Sequence, residues 1–426
     1  MIDRKPALIV RCTGVADVIT AVHFARDHGL LVAVRGGGHN VAGTAVCDGG
    51  MVIDLSPMRG IRVDARACTA RAQAGLLWGE FDHETQAFGL ATPGGIVTHT
   101  GIAGLTLGGG IGWLMRKHGL TCDNLLSADV VTADGQFLHA SSQEHPDLFW
   151  GLCGGGGNFG IVTSFKYRLH PVGPRLLAGV VLHPAERAHE ALRFYRDYIT
   201  TAPDELTTIV NLRKAPPAPF LPAHLHGLPV VIIAACYAGD IAEGERVLAP
   251  LQAFGPPLVD LIRPTFYTAH QGMFDASVPH GLRYYWKSEY LEALSDGALD
   301  TLVAQAWQAP SPTSYTIMFQ LGGAIRRVAE DASAFEDRHA HHALNINGVW
   351  SDPDATDAHI QWTRAFWEAM RPFSTGRVYV NFLGDEGEDR VRAAYGAAKY
   401  ARLVTLKNAY DPTNMFRLNQ NIAPTV

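Results

Sequence analysis

Apolar and polar positions alternate in two different rhythms along the chain, and the first rhythm fills its N-terminal part. There, apolar residues at helical spacing are followed by short apolar runs between glycines. Helical spacing that stops at a glycine is typical of a capped helix, and alternation around Asp-Gly is typical of a β-hairpin. The pattern predicts helices at residues 15–29 and 77–89, strands at 30–36 and 50–56, and a hairpin at 123–141 that turns at Asp134-Gly135.

The second rhythm begins around residue 172, where glycine becomes sparse and tyrosine-rich alternation appears. Strands that alternate with helical patterns are typical of an antiparallel sheet covered by helices, so the chain is predicted to be α+β. The predicted strands are 228–239, 283–291, 313–323 and 376–384, and the predicted helices are 185–199 and 298–308. The tail from residue 390 is predicted to be helical until Asp411-Pro412 breaks it.

Length and composition place the chain among large globular proteins. Its 426 residues exceed one compact core and predict two domains, or one domain with a large insertion. The net charge of −6 argues against a nucleic-acid or anionic-membrane partner. The sequence has neither a membrane-length apolar run nor a signal peptide, so we expect a cytoplasmic protein. The six cysteines show no CxxC spacing and are expected to be reduced, buried thiols.

One glycine motif looks like a dinucleotide fingerprint but lies in the wrong context. Residues 155–160 read GGGNFG and match GxGxxG. That motif needs a strand before it, a helix after it, and an acidic residue about 20 positions on. Here a helical pattern precedes, an alternating strand follows, and the next acidic residue is Glu186. The sequence therefore argues against a Rossmann site.

Two other glycine-rich loops favour a bound anion. Residues 35–40 read RGGGHN, and residues 92–113 carry a glycine at nearly every third position. Such loops can serve only as turns, but they also bring backbone amides close to phosphate oxygens. The two loops together favour a dinucleotide bound outside a Rossmann fold. His39 is then either a turn residue or a group that holds the ligand.

Six motifs in order resemble the berberine bridge enzyme-like FAD-linked oxidases of the vanillyl-alcohol oxidase (p-cresol methylhydroxylase) superfamily. The nearer subgroup is the bacterial one around 6-hydroxy-D-nicotine oxidase. The motifs are VAVRGGGHNVAG (32–43), TPGGIVTHTGIAGLTLGGGIGW (92–113), LTCDNLLSADVVTADG (120–135), LFWGLCGGGGNFGIVTSFKYRLHP (148–171), YVNFLGD (379–385) and YDPTNMFRLNQNIAP (410–424). The resemblance implies a two-part FAD-binding domain of the p-cresol methylhydroxylase type, residues 1–173 and 385–426, with a substrate-binding domain inserted at 174–384. Family members usually carry further residues before the equivalent of residue 1, so whether the native start lies upstream is left open.

The resemblance also implies how FAD is held. In the family, the histidine that ends the RGGGH motif bonds to the 8α carbon of the flavin, and His39 stands at that place. Doubly linked members have a cysteine where this chain has Val97, so the link is expected through His39 alone. The expected cofactor-binding residues are Val34, Arg35, Gly36, Gly37, Gly38, His39, Asn40, Gly43, Pro93, Gly95, Val97, Thr98, Thr100, Gly101, Gly104, Gly109, Asn124, Gly160, Ile161, Val162, Tyr379, Asn381 and Asn419.

The predicted strand at 376–384 carries the first candidate catalytic group. Alternation puts Tyr379 and Asn381 on one face, where packing alone would also explain the tyrosine. In the family this tyrosine lies at the flavin, and in several members it abstracts the substrate proton. A phenol needs a nearby cation or donor for that role at neutral pH, and Lys287 is the candidate, with a solvated lysine as the alternative.

Three more positions complete the candidate site. Tyr285 shares a strand face with Lys287, and Gln320 precedes two glycines at a position that is a substrate wall in the family; both are expected to contact substrate. His339, His341 and His342 read as an exposed helix without carboxylate or cysteine ligands at suitable spacing, so no metal is expected.

The function implied is an FAD-dependent oxidase. It would remove hydride from a C–N or C–O carbon of a small aromatic or heterocyclic metabolite and pass the electrons to dioxygen, giving hydrogen peroxide. In the family the residue at Thr100 controls oxygen access, and a small side chain there admits it. The alternatives are a dehydrogenase of the same fold with another acceptor, or a flavin-free binding or resistance protein. Expected partners are the substrate and dioxygen, and the protein is expected to be a monomer or a homodimer.

Overall fold

The computed structural model describes residues 1–218 and 221–426, which form a mixed helix and sheet structure. Its strands are β1 (Leu8–Arg11), β2 (Val32–Arg35), β3 (Met51–Asp54), β4 (Ile61–Asp64), β5 (Thr69–Gln73), β6 (Leu90–Ala91), β7 (Leu125–Val131), β8 (Phe137–Ser141), β9 (Ile161–Arg168), β10 (His170–Pro171), β11 (Arg175–Pro184), β12 (Leu206–Lys214), β13 (Pro229–Tyr237), β14 (Val259–Asp260), β15 (Arg263–Phe266), β16 (Arg283–Leu291), β17 (Tyr315–Gln320) and β18 (His342–Trp350).

Its α-helices are α1 (Val15–Asp27), α2 (Trp78–Gln86), α3 (Ile102–Leu107), α4 (Met115–His118), α5 (Pro146–Leu152), α6 (Ala188–Ile199), α7 (Ile241–Ala253), α8 (Tyr267–Gln271), α9 (Asp296–Ala306), α10 (Ala324–Arg327), α11 (Thr356–Met370), α12 (Glu388–Tyr395) and α13 (Ala397–Tyr410). Short 3₁₀ segments are Cys122–Asn124, Ala185–Arg187, Ala223–Leu225, Asp275–Ser277, Glu330–Ala332, Pro353–Ala355, Arg371–Phe373 and Val380–Phe382.

The N-terminal part contains two sheets that frame the glycine loops. A parallel sheet has the order β1-β3-β2, and an antiparallel sheet has the order β4-β5-β9-β7-β8. Helix α1 buries Val18, Ala21, Val22 and Ala25, which helical spacing brings to one side. The β7–β8 hairpin turns where the sequence predicts, with Gly135 at φ +84°.

The middle of the chain forms one large antiparallel sheet, as predicted. Its order is β14-β11-β13-β12-β17-β18-β16, and β15 pairs with β11. One face packs against α6, α7, α9 and α11 through a core that includes Leu206, Val210 and Leu344. The other face packs toward the N-terminal part, so both faces are buried. Which face a residue occupies therefore decides what it can touch.

The C-terminal helices return to the N-terminal part. Helix α13 packs against α5. The buried Lys407 ammonium donates to the carbonyl of Asn158 at 2.9 Å and to Asp411 Oδ2 at 2.7 Å. Asp411 in turn accepts from the amide of Phe416 at 2.8 Å. These buried bonds join the DPTNMF motif to the glycine-rich loop before β9.

Two predicted elements differ in the structure. Residues 376–384 do not form a strand; they form a loop with a 3₁₀ turn at Val380–Phe382. His339 and His341 lie in a turn and a bend, and His342 begins β18, so the predicted exposed helix was wrong. Within the described residues, no group of three or more potential metal ligands occurs, and no helix is long and apolar enough to cross a membrane. The three-segment domain division and the cytoplasmic location stay predictions.

Candidate active site

The first glycine loop follows β2 and presents a row of backbone donors. Across residues 36–41, no amide donates a hydrogen bond to another group of the described chain. A Cβ on Gly37 would lie 2.4 Å from the backbone nitrogen of Gly101, so the first loop touches the second where only glycine fits. Unpaired amides at the junction of two loops form a surface suited to an anionic group.

The second glycine loop is fixed at its flanks by two other elements. The amide of Trp78 in α2 donates to the carbonyl of Thr100 at 3.0 Å. The amide of Thr98 donates to Asp275 Oδ1 at 2.9 Å, and its hydroxyl donates to Oδ2 of the same carboxylate. Asp275 belongs to a segment between strands of the large sheet. The loop is therefore held from both sides before it enters α3.

Three imidazoles meet at the junction of these loops. His39 Nε2 lies 2.7 Å from His99 Nδ1, and His39 Nδ1 lies 3.5 Å from the hydroxyl of Thr100. The His280 ring lies 4.7 Å from the His99 ring. Desolvation in this crowded corner, together with His99 and His280, lowers the pKa of His39 to about 4, although the residue is partly open to solvent. The His39 imidazole is therefore neutral at neutral pH, with one nitrogen lone pair available.

These features fit FAD, the group that the resemblance implies. The unbonded amides of residues 36–41 suit its pyrophosphate. A Cβ at Gly104 would meet no atom within 4 Å, so open space adjoins the second loop. Asn419 Oδ1 is buried and has no partner in the described chain. A neutral imidazole at the loop junction suits a bond to an electrophilic carbon.

The other predicted cofactor residues fall into two groups. Val34, Arg35, Gly36, Gly38, Asn40, Gly43, Pro93, Gly95 and Val97 lie on or beside the two loops. Gly109, Gly160, Ile161 and Val162 pack inside the protein, where a Cβ on Gly160 would lie 2.5 Å from a methyl of Val130. Asn124 is bonded entirely within the chain: its amide donates to the carbonyls of His118 and Leu120 at 2.9 Å, and its oxygen lies 2.6 Å from His170 Nε2.

Tyr379 and Asn381 lie together, although their segment is a turn. The Tyr379 hydroxyl accepts hydrogen bonds from the amide of Gly110 at 2.9 Å and from Asn381 Nδ2 at 2.8 Å. Asn381 Nδ2 also donates to the carbonyl of Leu105 at 3.0 Å. Burial raises the pKa of Tyr379 well above its ordinary value, and the two donors offset only part of that effect. The phenol is therefore protonated at neutral pH.

The cation predicted to assist Tyr379 lies on the opposite face of the sheet. Lys287 Nζ lies 2.6 Å from Glu386 Oε2 and 4.8 Å from the centre of the Trp367 ring in α11. Tyr285 is on the same helix-covered face and accepts a hydrogen bond from Arg364 Nε at 3.0 Å. The structure therefore brings neither Lys287, expected beside Tyr379, nor Tyr285, expected to contact substrate, to the Tyr379 side of the sheet, because strand alternation pairs residues on a face without saying which face it is.

Gln320 also lies on the helix-covered face. Its Oε1 accepts from the Thr208 hydroxyl at 2.7 Å, and that hydroxyl lies 2.9 Å from Tyr195 OH of α6. The three side chains form a buried polar chain under α6. The structure therefore places Gln320 among side chains under α6 and not on the face that carries Asn211.

The face turned toward the glycine loops carries polar residues that the sequence analysis missed. Asn211 and Arg213 on β12 share this face with Asn345 on β18 and Trp286 on β16. The ring centres of Trp286 and Phe382 are 6.2 Å apart, and those of Phe382 and Tyr379 are 5.0 Å apart. Alternation in residues 206–214 would have grouped Asn211 with Arg213, and this was the available signal. These residues form the sheet wall opposite Tyr379.

The chain is similar to known FAD-linked proteins along nearly its whole length. Residues 6–141 match the FAD binding domain family, and residues 378–423 match the berberine and berberine-like family. A FAD-linked oxidoreductase of Dictyostelium discoideum is 32% identical over 98% of this chain and 89% of its own length. The (R)-6-hydroxynicotine oxidase of Paenarthrobacter nicotinovorans is 30% identical over 99% of this chain and 92% of its own length. The crystal structure of 6-hydroxy-D-nicotine oxidase from Arthrobacter nicotinovorans superposes with a TM-score of 0.87 and 26% identity, covering 98% of this chain and 92% of that one.

Proposed function

The chain belongs to the berberine bridge enzyme-like FAD-linked oxidoreductases, and we propose that it is an oxidase acting on a small aromatic or heterocyclic molecule. It removes hydride from a C–N or C–O carbon and passes the electrons to dioxygen, which becomes hydrogen peroxide. Bound FAD supplies the hydride acceptor and, through its 8-methyl group, a carbon to which a histidine nitrogen can bond. The (R)-6-hydroxynicotine oxidase, with its heterocyclic substrate, supports this substrate class.

One observation carries the proposal: His39 stands where two glycine loops meet, next to unbonded backbone amides. Gly37 and Gly101 bring the loops into contact, and Asp275 holds the second loop in place through Thr98. These contacts fix the two loops that would hold the pyrophosphate and the ring system, with His39 at their junction. Fixed geometry of this kind favours bond formation at one atom.

We propose that FAD is linked covalently through His39. When His39 Nε2 carries the proton and donates it to His99 Nδ1 at 2.7 Å, the lone pair is on Nδ1. A pKa of about 4 keeps that nitrogen unprotonated at neutral pH. His99 thus orients the imidazole, as the partner of a reacting histidine commonly does.

We propose that this link is the only one. Val97 occupies the place where doubly linked relatives would have a cysteine, and an alkyl side chain cannot form a thioether. Cys122 and Cys153 lie within the core, and burial raises the pKa of Cys153 to about 12, which disfavours its thiolate.

Tyr379 positions the reacting groups rather than accepting a proton. Its hydroxyl joins Gly110 of the second loop to Asn381, and the predicted cation lies elsewhere. Phe382 packs against Tyr379 on one side and against Trp286 of the sheet wall on the other. Thr100, beside His39, is small enough that it would leave oxygen a path to bound flavin.

The test is the mass of the denatured protein. After acid precipitation, the wild-type chain should carry one added FAD, and His39→Ala should carry none. His83→Ala, an exposed histidine in α2, is the matched control and should keep the adduct. A flavin found on a cysteine peptide would contradict the single link, and a purified wild-type protein without flavin absorbance would contradict the proposed function as a whole.

A further inference from the structure

Among the residues that the structure describes, Arg213 is a buried cation without a compensating anion. It lies on β12, is 8% exposed, and faces the glycine loops rather than the helices. Its guanidinium stacks 5.3 Å from the centre of the Tyr315 ring. Its electrostatic neighbours are Tyr315 and Tyr284, with no carboxylate among them. The two residues outside the described ranges, Pro219 and Phe220, carry no carboxylate either.

The other buried arginines of the described chain show what such a group normally requires. Arg338 donates to Asp123 Oδ1 at 2.7 Å. Arg116 donates to the carbonyls of Leu206 and Leu321 at 2.7 and 2.6 Å. Arg213 donates through Nε to the carbonyl of Lys214 at 3.3 Å, and its terminal nitrogens reach no acceptor in the described chain. The terminal nitrogens are therefore available as donors, and a carboxylate there would form a charge-assisted pair with a largely buried guanidinium.

The same wall contains further unpartnered polar atoms. Asn211 and Asn345 are 4% and 2% exposed, and the Oδ1 atom of each has no hydrogen-bond partner in the described residues. Trp286 Nε1 is also buried without a partner there. Asn211 lies two positions before Arg213 on the same strand, so successive same-face residues are about 7 Å apart. Buried donors and acceptors without partners indicate groups that a ligand satisfies.

Aromatic side chains surround these polar groups. Tyr315 lies under the Arg213 guanidinium, and Trp286 stands at the other end of the same cross-strand row. Trp286 in turn contacts Phe382 at the Tyr379 end of the wall. Aromatic side chains of this kind pack well against a flat ring, and a fork of guanidinium donors suits a carboxylate in its plane.

We propose, building on the oxidase function above, that the substrate is an aromatic carboxylic acid whose carboxylate binds Arg213. Asn211 and Asn345 accept hydrogen bonds from donor groups on the ring or its side chain. The charge of the substrate, rather than its apolar area, then selects it from neutral molecules of the same shape.

The test compares each acid with its uncharged amide. The probes are benzoate against benzamide, phenylacetate against phenylacetamide, and cinnamate against cinnamamide, titrated into the holoprotein at constant ionic strength. Binding is followed by the flavin absorbance and by tryptophan fluorescence, since Trp286 lies on the wall. For at least one pair, the acid should bind about tenfold tighter or more, as one charge-assisted pair of hydrogen bonds allows.

Variants assign that preference to one side chain. Arg213→Gln should reduce it to about twofold or less, and Arg213→Lys should restore part of it by returning the charge. Arg364→Gln is the matched control, because Arg364 stacks on Tyr285 on the opposite face of the same sheet. It should leave the preference unchanged.

The outcomes separate this inference from the proposed function. If no acid binds better than its amide, or if Arg213→Gln keeps the preference, the inference is wrong even when the protein carries FAD. If the protein lacks flavin, the fluorescence titration still reports the acid preference. In that case the oxidase function fails, and the recognition of the acid is judged separately.

Discussion

Asp82 should make the folded protein less stable as the pH rises. This carboxylate lies in α2, is 1% exposed, and accepts a hydrogen bond from Gln271 Nε2 of α8 at 2.8 Å. Its second oxygen has no partner in the described chain. Burial raises its pKa from 3.8 to about 7, and the bond from Gln271 offsets this only in part.

The sign and size of the pH effect on stability follow from the difference between the pKa of Asp82 in the folded protein and its pKa in the unfolded chain. The folded protein holds Asp82 protonated up to about pH 7, whereas the unfolded chain ionises it above about pH 4. The favourable contribution is therefore complete below about pH 4 and is lost as the pH rises to about 7. At 1.36 kcal/mol per pKa unit, the loss is about 4 kcal/mol in the free energy of unfolding. The amide in Asp82→Asn removes this loss.

The assay is urea denaturation followed by tryptophan fluorescence at pH 5 and pH 8. We expect Asp82→Asn to have a higher denaturation midpoint than wild type at pH 8. The difference between the two midpoints should be smaller at pH 5. Asp3→Asn, at an exposed carboxylate, is the control and should follow wild type at both pH values. If Asp82→Asn were less stable than wild type at pH 8, the carboxylate would be ionised and stabilising in the native state, and the reasoning would fail.

Two further predictions concern Tyr379 and Thr100. Tyr379→Phe should slow anaerobic flavin reduction by less than about tenfold with an unchanged pH profile, because a protonated phenol positions groups; a loss of about 100-fold or more with an altered profile would identify a general base instead. Thr100→Leu should slow reoxidation of reduced flavin in air while leaving reduction by substrate unchanged, because the added branch closes the space beside His39. Thr100→Val, similar in size to threonine, should reoxidise as fast as wild type, and equal rates in all three proteins would exclude an oxygen gate.

Local motifs could be predicted from the sequence, because a few neighbouring residues determine their conformation. The hairpin at Asp134-Gly135 and the helix that ends before Gly29 were correct. The contact of Gly37 with Gly101 was not visible, but both glycines stand in loops that were identified. Backbone conformation and glycine permissiveness are local properties, so a single sequence contains them.

The sidedness of the large sheet could not be predicted in the same way. Alternation correctly grouped Tyr285 with Lys287, yet both faces of the sheet are buried, so neither face reads as solvated. The sequence analysis assigned the site to the face under α11. It missed Trp286, which lies between Tyr285 and Lys287 along β16 and occupies the other face. Residues 376–384 also alternate, but no neighbouring strand pairs with them over Tyr379 and Asn381, so the chain turns there. Long-range packing decided both cases.

The seat of α13, which is the surface of residues 151–158 on which this helix packs, has a consequence for how the protein folds during its synthesis. Leu403 and Leu406 of this helix pack onto Gly155 and Gly151, and Lys407 bonds to Asn158 in the same stretch. Ribosomes synthesise that stretch long before α13 emerges, so the nascent chain carries an uncovered apolar seat during most of its translation. The N-terminal part therefore reaches its final packing only after α13 has left the ribosome. A ribosomal pause before residue 397 would lengthen the time for which chaperones and proteases can reach the seat.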